Sequence, residues 1–153
     1  GDQNEWEIAS GVPHIPFEAL DADYEIAKEA YLEYFRKMHQ LFPKCKKMLM
    51  AVRNQIASSH HTLSGLLYDA VEDQLYTTRI YDIEPIVDPM GVGDAFIAAY
   101  IHAHQKWGDK NQYCLDFSLS ASAIKNTVPG DQNLVTEEEI INNMTSSGGR
   151  IQR

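Results

Sequence analysis

Cysteine is scarce in this chain: Cys45 and Cys114 are the two it carries in 153 residues. They stand far apart and match no zinc-ligand spacing, which points away from a disulfide framework or a zinc ribbon and toward buried thiols in a reducing compartment. Cationic side chains are also in deficit. Thirteen Lys and Arg face 22 Asp and Glu, a formal charge of −9 at pH 7, and a phosphate backbone needs a basic face, so general nucleic-acid binding is excluded. Long apolar runs are missing, which excludes a bilayer-spanning helix. The opening Gly1-Asp2-Gln3-Asn4-Glu5 is polar and acidic, unlike a secretory leader. These absences together describe a cytoplasmic protein with no membrane or nucleic-acid partner.

What is present is enough for one domain with a real core: 44% of the residues are hydrophobic and 23% charged. The chain is organised around Asp88-Pro89-Met90-Gly91-Val92-Gly93-Asp94-Ala95-Phe96. Residues 81–87 read as a strand that runs into two glycines, and an apolar helical pattern follows from Ala95. Gly91 and Gly93 allow close backbone approach, and the free N–H groups of a helix start favour an anion. Asp94 stands at the lip of that hollow. An anion cradle with a carboxylate beside it suits phosphoryl transfer, the carboxylate taking a hydroxyl proton. A plain N-cap after turn glycines explains the same residues locally.

Elsewhere, residues 4–10 read as a short helix capped by Asn4 and closed by Gly11, with Asn4 and Glu7 one turn apart. Residues 14–22 read as a connection, and residues 23–41 as an amphipathic helix ended by Pro43, with Ile26, Ala30, Phe35 and Met38 at roughly helical spacing. Residues 48–52 form a continuous apolar run, expected as a strand buried on both faces of a parallel sheet. Arg53 and Asn54 follow at its carboxyl end, where Arg53 either grips a phosphate or makes a surface ion pair. Residues 58–68 and 74–81 are expected as an antiparallel hairpin. His60 and His61, adjacent on a strand, point to opposite faces and cannot easily share a metal. Residues 111–124 read as a helix of small residues, residues 126–131 as a Pro-Gly loop, and Thr136 with Glu139 as the capping box of a last helix. The tail, residues 145–153, is Ser/Gly-rich and expected to fray.

The nine residues from Asp88 to Phe96 resemble the C-terminal signature of the ribokinase-like (PfkB) carbohydrate kinases, with Pro89 and Val92 replacing the usual Thr and Ala. Asn4-Glu5-Trp6-Glu7 is similar to that family's Asn-x-x-Glu motif. Ile124-Lys125-Asn126-Thr127-Val128-Pro129-Gly130-Asp131 looks most like 2-keto-3-deoxygluconate kinases. The resemblance implies a ribokinase-like, Rossmann-type α/β fold. Its C-terminal half alone would be present: a mostly parallel sheet flanked by helices, with an antiparallel hairpin. Residues 1–153 would be the nucleotide-binding and catalytic part, the N-terminal half and lid lying outside the sequence.

The resemblance further implies Asp94 as catalytic base and Gly91, Val92 and Gly93 as anion hole. Arg53, Gly91, Gly93 and Asn126 would contact ATP, Asn4 and Glu7 would position Mg²⁺ through water, and Asp88 would hold a monovalent cation such as K⁺. The implied reaction is transfer of the ATP γ-phosphate to the 6-hydroxyl of an acidic keto sugar. A ribokinase or fructokinase type, an inactive nucleotide-binding fragment and a purely structural α/β domain are the alternatives. Homo-oligomerisation of the full-length protein stays open.

Overall fold

The computed structural model describes residues 2–15 and 24–146. The expected start of the second helix at Asp23, the side chain of Ile26, most of the connection at residues 14–22 and all but the first two residues of the expected tail lie outside what is described.

Helix α1 (Gln3–Ser10) starts on Asp2 rather than Asn4. The Asp2 carboxylate accepts the Glu5 amide N–H and the Glu5 carboxylate accepts that of Asp2, while Gly11 closes the helix at φ 70°. This reciprocal box satisfies two orphan donors where an Asn4 cap would satisfy one, so the helix begins early and Asn4 falls inside its first turn. Helix α2 (Tyr24–Leu41) buries Tyr31, Tyr34, Phe35 and Met38, and the Tyr31 hydroxyl donates to Gln3 Oε1 at 2.9 Å to tie it to α1.

Four strands follow: β1 (Lys47–Ala57), β2 (His60–Asp69), β3 (Gln74–Thr77) and β4 (Tyr81–Ile83). The α/β class holds, but every described strand pair is antiparallel, which corrects the expected mostly parallel sheet. The physical reason is connection length. Residues 58 and 59 alone separate β1 from β2, whereas a parallel pair needs a crossover of a dozen residues or more. The apolar run at residues 48–52 is the first half of one arm of this long hairpin. The expected hairpin between β2 and β3 is present, with Asp69 opposite Gln74. The strand expected over residues 81–87 stops at Ile83, where β4 joins the same flank of β2 as β3.

Strand β2 is therefore paired on both edges and buried from Leu63 to Asp69. Its alternation feeds two cores. Leu63 and Leu67 face Phe96, Leu115, Phe117, Leu119 and Ile140, and Leu66 and Tyr68 join Met48, Met50 and Val52 against α2. Helices α3 (Val92–Trp107), α4 (Asn111–Lys125) and α5 (Glu137–Thr145) cover the first face. At Gly65 an added Cβ would stand 3.3 Å from both Leu115 and Thr78 side chains, so the missing side chain is what lets α4 press onto the sheet. His60 and His61 do face opposite ways: His60 Nε2 meets Asp82 Oδ1 at 2.6 Å, and His61 is 1% exposed.

Candidate active site

Two loops hold each other at the entrance to α3. The Asp88 carboxylate accepts the Met90 amide N–H on Oδ1 at 2.9 Å and the Gly130 N–H on Oδ2 at 2.8 Å. Those two donors keep its proton affinity below the ordinary aspartate value. The amides of Val87 and Asp88 both donate to the Asn126 carbonyl, at 2.8 and 3.2 Å. Gly91 sits at φ 73°, and a Cβ there would fall 2.1 Å from the Asp131 carbonyl oxygen. Only glycine fits, by conformation and by space together.

Helix α3 consequently begins with no side-chain cap. Its first intrahelical bond runs from Ala95 N–H to the Gly91 carbonyl, and the N–H groups of Val92, Gly93 and Asp94 have no acceptor among the described residues. Three uncapped donors at the positive end of a sixteen-residue helix are an arrangement that favours negative charge. A Cβ on Gly93 would meet nothing within 4 Å, so the approach is open. Ser122 Oγ donates to the Val92 carbonyl at 3.0 Å and fixes this turn to α4.

The turn borders a cleft of about 440 Å³ lined by Gly93, Asp94, Arg53, Ser122 and, from α1, Asp2 and Glu5. Asp94 is exposed, and neither its carboxylate nor the Arg53 guanidinium has a hydrogen bond or ion pair among the described residues. A carboxylate that can accept a proton, a fork that can grip an anion and three N–H donors thus share one hollow.

The remaining expected residues are placed differently. Glu7 lies outside the lining and is engaged with His14, whose backbone N–H and ring Nδ1 both reach Glu7 Oε2. The ring contact above all holds the Glu7 carboxyl below its ordinary value. Asn4 is exposed on the same helix and also outside the lining. Asn126 is wholly buried, donating from Nδ2 to the Ser122 carbonyl at 3.0 Å, with Oδ1 unpartnered among the described residues. The neighbouring Pro129, Gly130 and Asp131 are the exposed part of that loop. Sequence reasoning missed Asp2 and Glu5 at the cleft, although Asp2-x-x-Glu5 is a capping-box spacing that also marks the true helix start. It missed Ser122 as well, which lines the cleft and lies one turn from Ser118 on α4.

No protein-family model matches the sequence, and no curated protein matches it. Solved structures do. A PfkB family carbohydrate kinase from Listeria grayi is 30% identical over 74% of this chain and 35% of its own, with a TM-score of 0.69. The 2-dehydro-3-deoxygluconokinase of Thermotoga maritima is 26% identical over 95% of this chain and 40% of its own, with a TM-score of 0.79. A candidate 2-keto-3-deoxygluconate kinase from Enterococcus faecalis, at 19% identity and a TM-score of 0.68, shares the fold alone. This chain spans 35 to 40% of the length of these three proteins. Among the described residues, no helix is long and apolar enough to cross a membrane. The helices and strands that frame the uncapped glycine turn make this chain similar to part of the ribokinase-like PfkB carbohydrate kinases.

Proposed function

We propose that this chain is the nucleotide-binding and catalytic part of an ATP-dependent carbohydrate kinase whose acceptor is 2-keto-3-deoxygluconate, phosphorylated at its 6-hydroxyl. The observation that carries the reading is the uncapped first turn of α3, opening on a cleft that it shares with Asp94 and Arg53. The named 2-dehydro-3-deoxygluconokinase among the structural relatives supports the acceptor class.

Phosphoryl transfer through a loose transition state asks a protein for positioning and charge stabilisation more than for covalent chemistry. The Val92, Gly93 and Asp94 N–H groups bind the negative charge that builds on the transferring phosphoryl oxygens. Asp94 receives the proton of the acceptor hydroxyl as its oxygen bonds to phosphorus and the bridge to the departing ADP breaks. Arg53 offers a guanidinium fork to the polyphosphate. Bound Mg²⁺ supplies charge neutralisation there. Among the described residues no three His, Cys, Asp or Glu side chains are grouped to hold a metal, so Asp2 and Glu5 at the α1 end of the cleft would meet a hydrated Mg²⁺ through its waters. For the adenine, the exposed residues 129–131 beside buried Asn126 are the candidate border.

The test is ADP release by the full-length protein with Mg-ATP and a panel of 2-keto-3-deoxygluconate, ribose and fructose. The expected result is the highest kcat/KM on the keto acid. Preference for ribose or fructose would correct the acceptor, and no ADP release with any sugar would overturn the kinase reading.

A further inference from the structure

Helix α4 changes its hydrogen-bond pattern at its C-terminal end. The Asn126 N–H turns to the Ala123 carbonyl at 3.3 Å, Thr127 N–H to Ile124 at 2.8 Å and Val128 N–H to Lys125 at 3.1 Å, bonds of the tighter type that reach three residues back. That shift takes the Asn126 N–H away from the Ser122 carbonyl, and the Asn126 side chain replaces it: Nδ2 donates to that carbonyl at 3.0 Å. Ser122 and Asn126 are both 0% exposed, so no solvent competes for these groups.

Each residue then reaches out of the helix to one side of the glycine turn. The Asn126 carbonyl accepts the Val87 and Asp88 N–H groups, at 2.8 and 3.2 Å, on the way into the turn. Ser122 Oγ donates to the Val92 carbonyl at 3.0 Å on the way out. Gly91, at φ 73°, lies between those two anchors. Helix α3 has no side-chain cap to hold its first turn, and glycine is the residue with the most backbone freedom to restrain. The restraint comes instead from these buried bonds to α4.

We infer that Ser122 is a positioning residue: its hydroxyl, carried on a helix turn locked by Asn126, sets the direction in which the Val92, Gly93 and Asp94 N–H groups point. Asn126 acts through Ser122 and its own carbonyl rather than on the nucleotide. The inference rests on the reading of those donors as the seat of the transferring phosphoryl group, and adds to it the buried pair that aims them.

The test compares Ser122→Ala with Ser120→Ala in the full-length protein. Ser120 is the matched control, since it too is 0% exposed and donates its hydroxyl to another helix, at the Ile140 carbonyl of α5, 2.8 Å away. Amide hydrogen exchange is followed at Ala95 and Phe96 in the first turn of α3 and at residues 140–144 of α5. Ser122→Ala should speed exchange at Ala95 and Phe96 about fivefold, as for the loss of one hydrogen bond, and leave α5 at the wild-type rate. Ser120→Ala should do the reverse. In turnover with Mg-ATP and the acceptor sugar, Ser122→Ala should lower kcat about fivefold with KM for ATP within about twofold, because aim matters most where charge builds in the transition state. Ser120→Ala should keep the wild-type kcat. Unchanged exchange at Ala95 and Phe96, a wild-type kcat in Ser122→Ala, or an equal kcat loss in Ser120→Ala would overturn the inference. A wild type that releases no ADP with any sugar would sink the kinase reading, and the exchange comparison would still decide whether Ser122 sets the turn.

Discussion

Gly91 and Asp131 are in backbone contact so close that a methyl group on the Gly91 α-carbon would overlap the Asp131 carbonyl oxygen at 2.1 Å. Two residues further on, the same substitution meets empty space. The pair makes a controlled experiment. Gly91→Ala carries the left-handed conformational penalty of about 1–2 kcal/mol and the clash in addition, so unfolding stability should drop by more than ~2 kcal/mol in urea titration. Gly93→Ala should be neutral or stabilising by up to ~1 kcal/mol, as for glycine replaced within a helix. If the proposed function holds, Gly93→Ala nevertheless weakens Mg-ATP binding in calorimetry, because the added methyl projects into the cleft. Equal stability losses for the two variants would contradict this geometry.

If the proposed function holds, Asp94→Asn separates base chemistry from binding. The amide is nearly isosteric but accepts no proton at neutral pH, so turnover should fall by about 10²- to 10⁴-fold, the usual contribution of a positioned base. Nucleotide affinity should change little. A variant that keeps most of its turnover would remove Asp94 from the reaction.

His61 should set the pH profile of stability. Burial first, then the neighbouring Arg53 and His60 charges, pushes its folded pKa from 6.5 down to about 4. The unfolded chain therefore binds a proton that the folded chain refuses between those two values. Stability is complete above about pH 6.5 and is lost as pH falls toward 4, by up to ~3 kcal/mol. Urea midpoints at pH 7.5, 6 and 5 should show the decline, and His61→Gln should flatten it over that window. A wild-type profile level between pH 7 and 5 would refute the assignment.

At the opposite end of β2, Asp69 is 4% exposed. It accepts the Val71 N–H at 2.9 Å and the Asn111 side-chain amide at 2.8 Å, with Lys47 Nζ 3.4 Å away. Burial works against its charge, and these donors with the Glu72 amide outweigh it, so the carboxyl titrates below its ordinary value. Asp69→Ala strands the buried Asn111 amide and should cost about 2–4 kcal/mol in chemical denaturation. A loss below ~1 kcal/mol would show that water replaces the carboxylate without penalty.

Periodicity and turn chemistry were enough to locate the helices from α2 to α5, the β2–β3 hairpin and the glycine turn. The inward residues of α3, Phe96, Ala99, Tyr100 and Ala103, are buried as their spacing implies. Strand direction was not legible, because an apolar run such as residues 48–52 looks the same in a parallel sheet and in a two-sided antiparallel one. Proximity was not legible either. Asp88 and Gly130 are 42 residues apart in the chain, and only the folded loops bring them into contact. The place of the Asp2–Glu5 pair at the cleft escaped for a related reason: an acid starting a helix is favourable on local grounds alone.

The antiparallel wiring of the sheet fixes an order of assembly. Two residues close β1 onto β2, four close β2 onto β3, and three separate α3 from α4. Short closures lose little chain entropy, so these pairs reach each other early in folding. The joint between residues 88–91 and 128–131 has no such advantage. Its partners must wait until α3 and α4 have paired, and the anion-binding turn it shapes is completed after the platform beneath it. On this wiring, the core is expected to form before the first turn of α3 takes its final shape.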